Sequence, residues 1–231
     1  PVAFTAYPPL EDDVTKPLMF LSREAGSKVS LSATGSVTDV YQTSADGAVW
    51  EDYTFGTDIT LNKGDICFFR VKANRAKQGV SKYVHFGITG KIEAYNSILS
   101  LLNPDFAEIT SVSSWSGYVF NKLFKDCAGL YKAPLMPFTS FASSALYALA
   151  EMFSGCTHLA WLPKITFTIA PSLSLEHFCA GCTALQSVDL DVGEMKSSSF
   201  SYAFDGCAAL RNVSVRIDAP LGTDATKEWL R

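Results

Sequence analysis

The 231-residue chain has no basic block: nineteen Lys and Arg are scattered among twenty-three Asp and Glu, for a net charge of −4. The electrostatic footprint of phosphate-backbone binding is missing, so nucleic acid is not expected as a partner. No apolar run approaches the ~18 residues that cross a bilayer, and no membrane span is expected. The first residues hold neither Met nor the apolar core of a signal peptide, which reads as a mature or trimmed chain. Three histidines, His85, His158 and His177, are too few and too scattered for a metal cluster. No G-x-S-x-G, G-x-G-x-x-G or P-loop pattern occurs, so neither a strained nucleophile nor a phosphate cradle has candidate residues. The expectation is a protein without catalysis, cofactor or metal.

Apolar residues, by contrast, make up 48% of the chain against 18% charged, with sixteen Phe, nine Tyr and four Trp. That composition builds a core. Four of the six cysteines, Cys127, Cys156, Cys182 and Cys207, recur at spacings of 29, 26 and 25 residues, the length of one supersecondary unit. With each Cys as position 0, position −7 is Phe120, Leu149, Leu175 and Phe200, and −4 is Leu123, Met152, Phe178 and Ala203. Position −3 is Phe124, Phe153, Cys179 and Phe204, and +3 is Leu in every copy. Positions +6 and +8 are apolar except at Lys164. The −7, −4, −3, 0 stripe predicts a short helix before each Cys, ended by Gly155, Gly181 or Gly206, with Asp126 in the first copy. The spacing towards two after +3 predicts a short strand, and copies that cannot bury a face alone must stack, with their strands in a parallel ladder.

Phe153-Ser-Gly-Cys-Thr-His-Leu159 and Phe204-Asp-Gly-Cys-Ala-Ala-Leu210 resemble the F-x-G-C-x-x-L core of the BspA-like leucine-rich repeat proteins found on Bacteroidota surfaces and in some of their phages. Lys125–Leu130 and Cys179–Leu185 are weaker copies, and the resemblance covers residues 89–231, with Gly90–Leu102 as an N-terminal cap and Thr223–Arg231 as the start of a C-terminal one. Residues 17–88 are short Val/Ile/Thr/Tyr/Phe runs: Pro17–Ser22, Lys28–Thr34, Asp39–Thr43, Val49–Thr54, Asp58–Leu61, Ile66–Ala73 and Lys82–Ile88. They predict an antiparallel sandwich, with tight hairpin turns at Ser44–Gly47 and Asn62–Asp65. This segment looks like the Ig-like β-module that precedes such repeats in related proteins. Residues 1–16, with the acidic Glu11–Asp13, read as a solvated, extended lead-in. The expected class is mixed β with short helices: an Ig-like sandwich at 17–88 followed by a leucine-rich-repeat solenoid of about four repeats at 89–231.

Cys127, Cys156, Cys182 and Cys207 share one phase and are expected to be free and buried as a structural ladder; Cys179 and Cys182 have the spacing of a redox pair or half a zinc site, but Cys179 sits at the buried Phe position. Function is expected on the open face of the strand ladder, where alternation places positions +5 and +7: Lys132 and Pro134, Trp161 and Pro163, Ser187 and Asp189, Asn212 and Ser214. Lys132, Trp161, Asp189 and Asn212 are the candidate ligand-binding residues, Trp161 suiting either stacking on a sugar or cover for its own irregular strand. The resemblance implies an extracellular adhesin or recognition module at a cell or virion surface that binds a surface protein or glycan. The alternatives are a virion structural part docked through the β-module and, more weakly, a glycan-processing accessory enzyme.

Overall fold

The computed structural model describes residues 10–75, 82–112, 118–141, 147–169, 173–194 and 200–217, and Thr223–Arg231 lies outside them. The described chain is mostly β, with two short 3₁₀ helices at Ile98–Leu101 and Phe106–Glu108. Strands β1 (Leu18–Ser22), β2 (Ser27–Thr34), β3 (Tyr41–Ser44), β4 (Glu51–Asp52), β5 (Ile59–Leu61), β6 (Ile66–Val71) and β7 (Tyr83–Thr89) lie one in each of the seven expected runs. They are followed by β8 (Ile92–Tyr95), β9 (Leu130–Lys132), β10 (Ile165–Ile169), β11 (Ser187–Glu194) and β12 (Asn212–Ile217).

One sheet has the order β4-β3-β6-β1-β8-β9 and a second β5-β2-β7, antiparallel except where β8 meets β9. Their inner faces share a core in which Phe20 and Phe69 pack edge-on against Phe86 at 4.9 and 5.2 Å. Strand β2 shows the period-2 alternation that sets such a face, with Val29 and Leu31 fully buried and Lys28 exposed. Strand β1 is buried on both sides, because Met19 and Leu21 join Phe68 and Tyr95 in a second apolar cluster. The Asn62–Asp65 turn is not a hairpin: it carries the chain from β5 in one sheet to β6 in the other. Its Asp65 N–H still bonds Asn62 O at 3.1 Å, and Gly64 takes a φ of 93°, so these residues form the expected tight turn while the strands on either side of it do not pair.

The repeats continue this core without a break. Strand β8 pairs antiparallel with β1 on one side and parallel with β9 on the other. Phe86 N–H donates to Leu123 O at 2.7 Å, and the Phe86 and Phe124 rings stack at 5.3 Å. A buried clasp crosses the same seam: Arg75 N–H bonds Leu102 O at 2.7 Å, its Nη1 bonds Val119 O at 3.0 Å, and its Nε lies 3.5 Å from Asp39.

Before each Cys the structure holds consecutive turns, not the expected helix. Asn121, Leu123, Lys125 and Cys127 N–H groups bond carbonyls three residues back, whereas Phe120, Lys122, Phe124 and Asp126 bond Ala148, Ala150, Met152 and Ser154 of the next repeat. Beyond its first turn a helix bonds successive N–H groups within its own segment, four residues back; here alternate groups bond three residues back and the others bond outwards. Residues of positive φ at −5 (Lys122, Glu151, His177, Tyr202) and −1 (Asp126, Gly155, Gly181, Gly206) reset the chain direction. The buried positions are the same as a helical stripe would give, which is why spacing alone did not separate the two.

Later in each repeat, β10, β11 and β12 form a parallel sheet in that order. Lys164 is exposed, and its neighbour Ile165, fully buried, takes the place opposite Leu190. The second repeat thus carries one extra residue between Leu162 and its strand.

Candidate functional site

The outer face of the parallel strands is built from β8 outwards. Glu93 pairs in register with Lys132, and Lys132 with Trp161 across a single parallel bridge; farther along, Ser187 lies opposite Asn212 and Asp189 opposite Ser214. Pro134 and Pro163 are buried, contrary to the expected +7 exposure. Alternation holds only while the chain stays extended, and β9 stops at Lys132 while the second repeat has only the bridge at Trp161.

Trp161 is 43% exposed. The Lys132 ammonium lies 4.6 Å from its ring centre and 3.8 Å from that of Tyr95, a cation between two aromatic rings. Lys132 Nζ also bonds Asp12 Oδ2 at 2.7 Å and Ala94 O at 3.1 Å, so Lys132 is a support for Trp161 more than a free contact. Burial pulls the Lys132 pKa below its ordinary value, and Asp12 and Glu93 oppose that pull. Glu93 accepts from Arg23 Nη2 at 2.5 Å and from Tyr95 Oη at 2.6 Å. Burial favours its protonated form, but the bonds from Arg23 and Tyr95 and the charges of Arg23 and Lys132 win, leaving its pKa lowered. The Tyr95 hydroxyl is pushed up to about 12 by burial and by its bond to Glu93.

Asp12, read from the sequence as part of a solvated acidic run, is half-buried in this cluster: its Oδ1 accepts from Asn96 N–H at 3.0 Å. Asp189 and Asn212 are exposed on the same outer face. Beside them, Lys164 sits 3.9 Å from both Asp189 and Asp191, and Arg216 makes a two-point contact with Asp191 at 3.0 and 2.7 Å. Sequence reasoning missed Asp12, Tyr95, Glu93 and Arg23 because they meet Lys132 only after the chain folds. Chemically, the face offers a flat indole held by a cation and, farther along the strands, exposed carboxylate, amide and hydroxyl groups.

The four in-phase thiols are free and buried. Each Sγ lies at hydrogen-bond distance from a carbonyl of the preceding rung: Cys127 from Phe86 O at 3.1 Å, Cys156 from Phe124 O at 2.9 Å, Cys182 from Phe153 O at 3.1 Å and Cys207 from Cys179 O at 3.1 Å. Burial pushes Cys127 and Cys207 up to about 12, and Cys156 and Cys179 well above the ordinary thiol value. Such thiols are poor nucleophiles and poor metal ligands at neutral pH. The histidines lie apart: His85 in β7, His158 stacked on Tyr131 at 5.1 Å, His177 stacked on Tyr202 at 5.1 Å. Among the described residues no group of three or more His, Cys, Asp or Glu is arranged to hold a metal ion, and no helix is long and apolar enough to cross a membrane.

No family model matches the chain, and neither a curated protein nor a solved structure matches it.

Proposed function

We propose that the protein is a non-catalytic extracellular binding module at a cell or virion surface, recognising a surface protein or glycan through the outer face of its parallel strands. Trp161 carries this reading: a large aromatic side chain, 43% exposed, is held in place by the Lys132 ammonium at 4.6 Å from its ring centre. Rigid exposed aromatics dominate recognition surfaces because they contribute contact area at small cost in side-chain entropy. The fold class that accompanies this reading is an Ig-like sandwich leading into a BspA-like leucine-rich-repeat solenoid. It is supported by four thiols repeating one hydrogen bond to the rung before them.

The test is binding of the intact chain and of Trp161→Ala to glycan and surface-protein arrays and to whole bacterial cells. Saturable binding lost in the variant supports the reading; equal binding by both proteins moves the function off this face.

A second reading, a virion structural component docked through its β-module, is favoured by β5, an edge strand of its sheet among the described residues. That strand borders a groove of about 700 Å³ lined by Ser44, Asp46, Glu51, Thr60 and Asp65, where a partner strand has room to pair. Gene neighbourhood separates the two readings, with capsid or tail genes favouring the second.

A further inference from the structure

Each repeat has a second surface, made by its turn segment, and a groove of about 190 Å³ opens there. Its lining comes from three successive repeats: Tyr118, Asn121 and Lys122 from the first, Tyr147, Ala150 and Glu151 from the second, Glu176 and His177 from the third. Three side chains, Lys122, Glu151 and His177, occupy the −5 position, whose positive φ turns the backbone at that point. The rungs therefore stack unlike side chains in register along one edge.

The groove has one aromatic wall. Tyr118 and Tyr147 stack at 5.2 Å with 25° between their planes, and Tyr147 is 38% exposed. The column ends there, because the corresponding position of the third repeat is the buried Leu173. Asn121 forms part of the floor, its Nδ2 donating to Ala150 O at 2.9 Å. On one side Glu151 lies 3.3 Å from Lys122 and is also ion-paired with Lys125, one carboxylate between two ammonium groups. Burial pushes the Glu151 carboxyl up, but Lys125 and Lys122 overcome it and hold the group ionised. On the other side Glu176 and His177 line the groove, and among the described residues neither the Glu176 carboxylate nor the His177 ring nitrogens have a hydrogen-bond partner.

We infer that this groove is a second binding site, distinct from the strand face, for one neutral pyranose ring at the end of a glycan. A pyranose has an apolar C–H face, which suits the exposed Tyr147 ring. Its equatorial hydroxyls are donors and acceptors of the kind that Glu176, His177 and the Lys122–Glu151 pair can complete. The lining does not favour an anionic sugar: the two ammonium groups beside the groove, Lys122 and Lys125, face two carboxylates, Glu151 and Glu176, so no net positive charge is left to attract one. The inference does not depend on Trp161.

The test is a ¹H–¹⁵N NMR titration of the full chain with the methyl glycosides of glucose, galactose, mannose and N-acetylglucosamine, with methyl glucuronide and glucosamine as charged controls. Saturable shifts are expected for at least one neutral glycoside at the amides of Tyr147, Ala150, Glu176 and His177. Tyr147→Ala should weaken that glycoside by about tenfold, the size of one lost aromatic stack. Glu176→Gln, nearly isosteric, should weaken it by about threefold through loss of a charge-assisted acceptor, and Trp161→Ala should leave it unchanged. Absence of saturable shifts with every neutral glycoside overturns the inference, as does tighter binding of either charged control, or an affinity that survives both groove substitutions. Loss on Trp161→Ala alone would instead place all recognition on the strand face.

Discussion

The sandwich and the repeats bury similar side chains but satisfy their backbones differently. In the sandwich, β2 pairs with β7 residue by residue from Lys28↔Thr89 to Thr34↔Tyr83, one long antiparallel register. In the repeats, the N–H groups of a turn segment alternate between their own segment and the next rung. Hydrophobic spacing reports which side chains point inwards and is blind to where the N–H groups go. The two regions also meet without a boundary in the core: Phe20, Phe86, Phe124 and Phe153 form a run of ring contacts at 4.9, 5.3 and 5.4 Å. The division expected at residues 88 and 89 separates two backbone patterns, and one apolar core runs through both.

The seam is the place to break this comparison with the largest effect. Arg75→Ala should lower unfolding free energy by about 3–5 kcal/mol, because it removes the buried guanidinium that faces the Asp39 carboxylate at 3.5 Å and bonds Val119 O. Tyr41, whose hydroxyl burial pushes up to about 12 and leaves without a hydrogen-bond partner, cannot supply the missing charge. Urea unfolding followed by single-tryptophan fluorescence, Trp50 reporting the sandwich and Trp161 the repeats, should give coincident transitions before and after the substitution. Two separated transitions in the unsubstituted chain would show that the seam does not couple the regions. Replacing Arg75 and Asp39 together by Leu should recover most of the loss, since two apolar groups leave no charge unpaired.

A smaller effect is expected at Gly129, which lies where the first repeat crosses the end of β7. A Cβ there would sit 2.8 Å from the Thr89 backbone, a contact that only backbone movement relieves. Gly129→Ala should cost about 1–3 kcal/mol, the usual range for overpacking. Gly206→Ala is the control for the repeats: its φ is 71°, but its Cβ would meet its nearest atom at 3.6 Å, leaving only the conformational strain. A larger loss at Gly206 than at Gly129, read from urea midpoints, would place the tighter constraint in the repeats.

The strands of residues 17–88 were legible because alternation and turn residues agree there: Val29, Leu31 and Ala33 mark one face of β2, and Gly47 marks the turn after β3. The repeat phase was legible because the Cys and Phe positions are buried in every copy and the Leu position in three, with Leu210 of the last copy half-buried. The turn conformation was not. Glycine flagged position −1 in three copies, whereas −5 carries Lys122, Glu151, His177 and Tyr202, none of which signals a positive φ. The strand-face site was half legible. Alternation placed Trp161, Asp189 and Asn212 outside, but the Asp12–Lys132 pair joins residues 120 apart in sequence, which no local pattern encodes. The groove on the turn edge left one faint trace, tyrosine at position −9 in two successive copies, Tyr118 and Tyr147.

The thiols offer a gentler way to sharpen the comparison. Burial pushes Cys67 in the sandwich and Cys127 and Cys207 in the repeats up to about 12, against an ordinary 9.0, and drives Cys156 and Cys179 well upwards. Above pH 9 the unfolded chain loses thiol protons that the folded chain keeps, so stability falls as pH rises; below pH 9 both states hold them and these groups contribute no pH dependence. Each thiol adds a slope of about 1.4 kcal/mol per pH unit in that window. Urea midpoints should therefore hold steady from pH 7 to pH 8.5 and drop between pH 9 and pH 10. Four of these five thiols lie in the repeats, yet the shared core predicts that Trp50 and Trp161 report the same drop. Cys127→Ala should flatten the slope by one thiol's share; an unchanged slope would assign the alkaline loss to other groups.

The smallest effect is expected where the strand ladder is most open. Arg216 contacts Asp191 with good two-point geometry, but its side chain is 71% exposed and water screens most of the attraction. The Arg23–Glu93 pair beside β1 has side chains 30% and 22% exposed and a further bond to Tyr95, so less water competes for it. Arg216→Ala should change unfolding free energy by no more than about 1 kcal/mol, and half-molar salt should erase most of that change because the screening length then falls below about 5 Å. Arg23→Ala should cost more and respond less to salt, since it strands a carboxylate that burial already disfavours. Measuring both variants by urea unfolding at low and high salt tests the ranking. If Arg216 proved the costlier of the two, the outer strand of the ladder would be held by charge more than by the buried side chains of β11 beneath it.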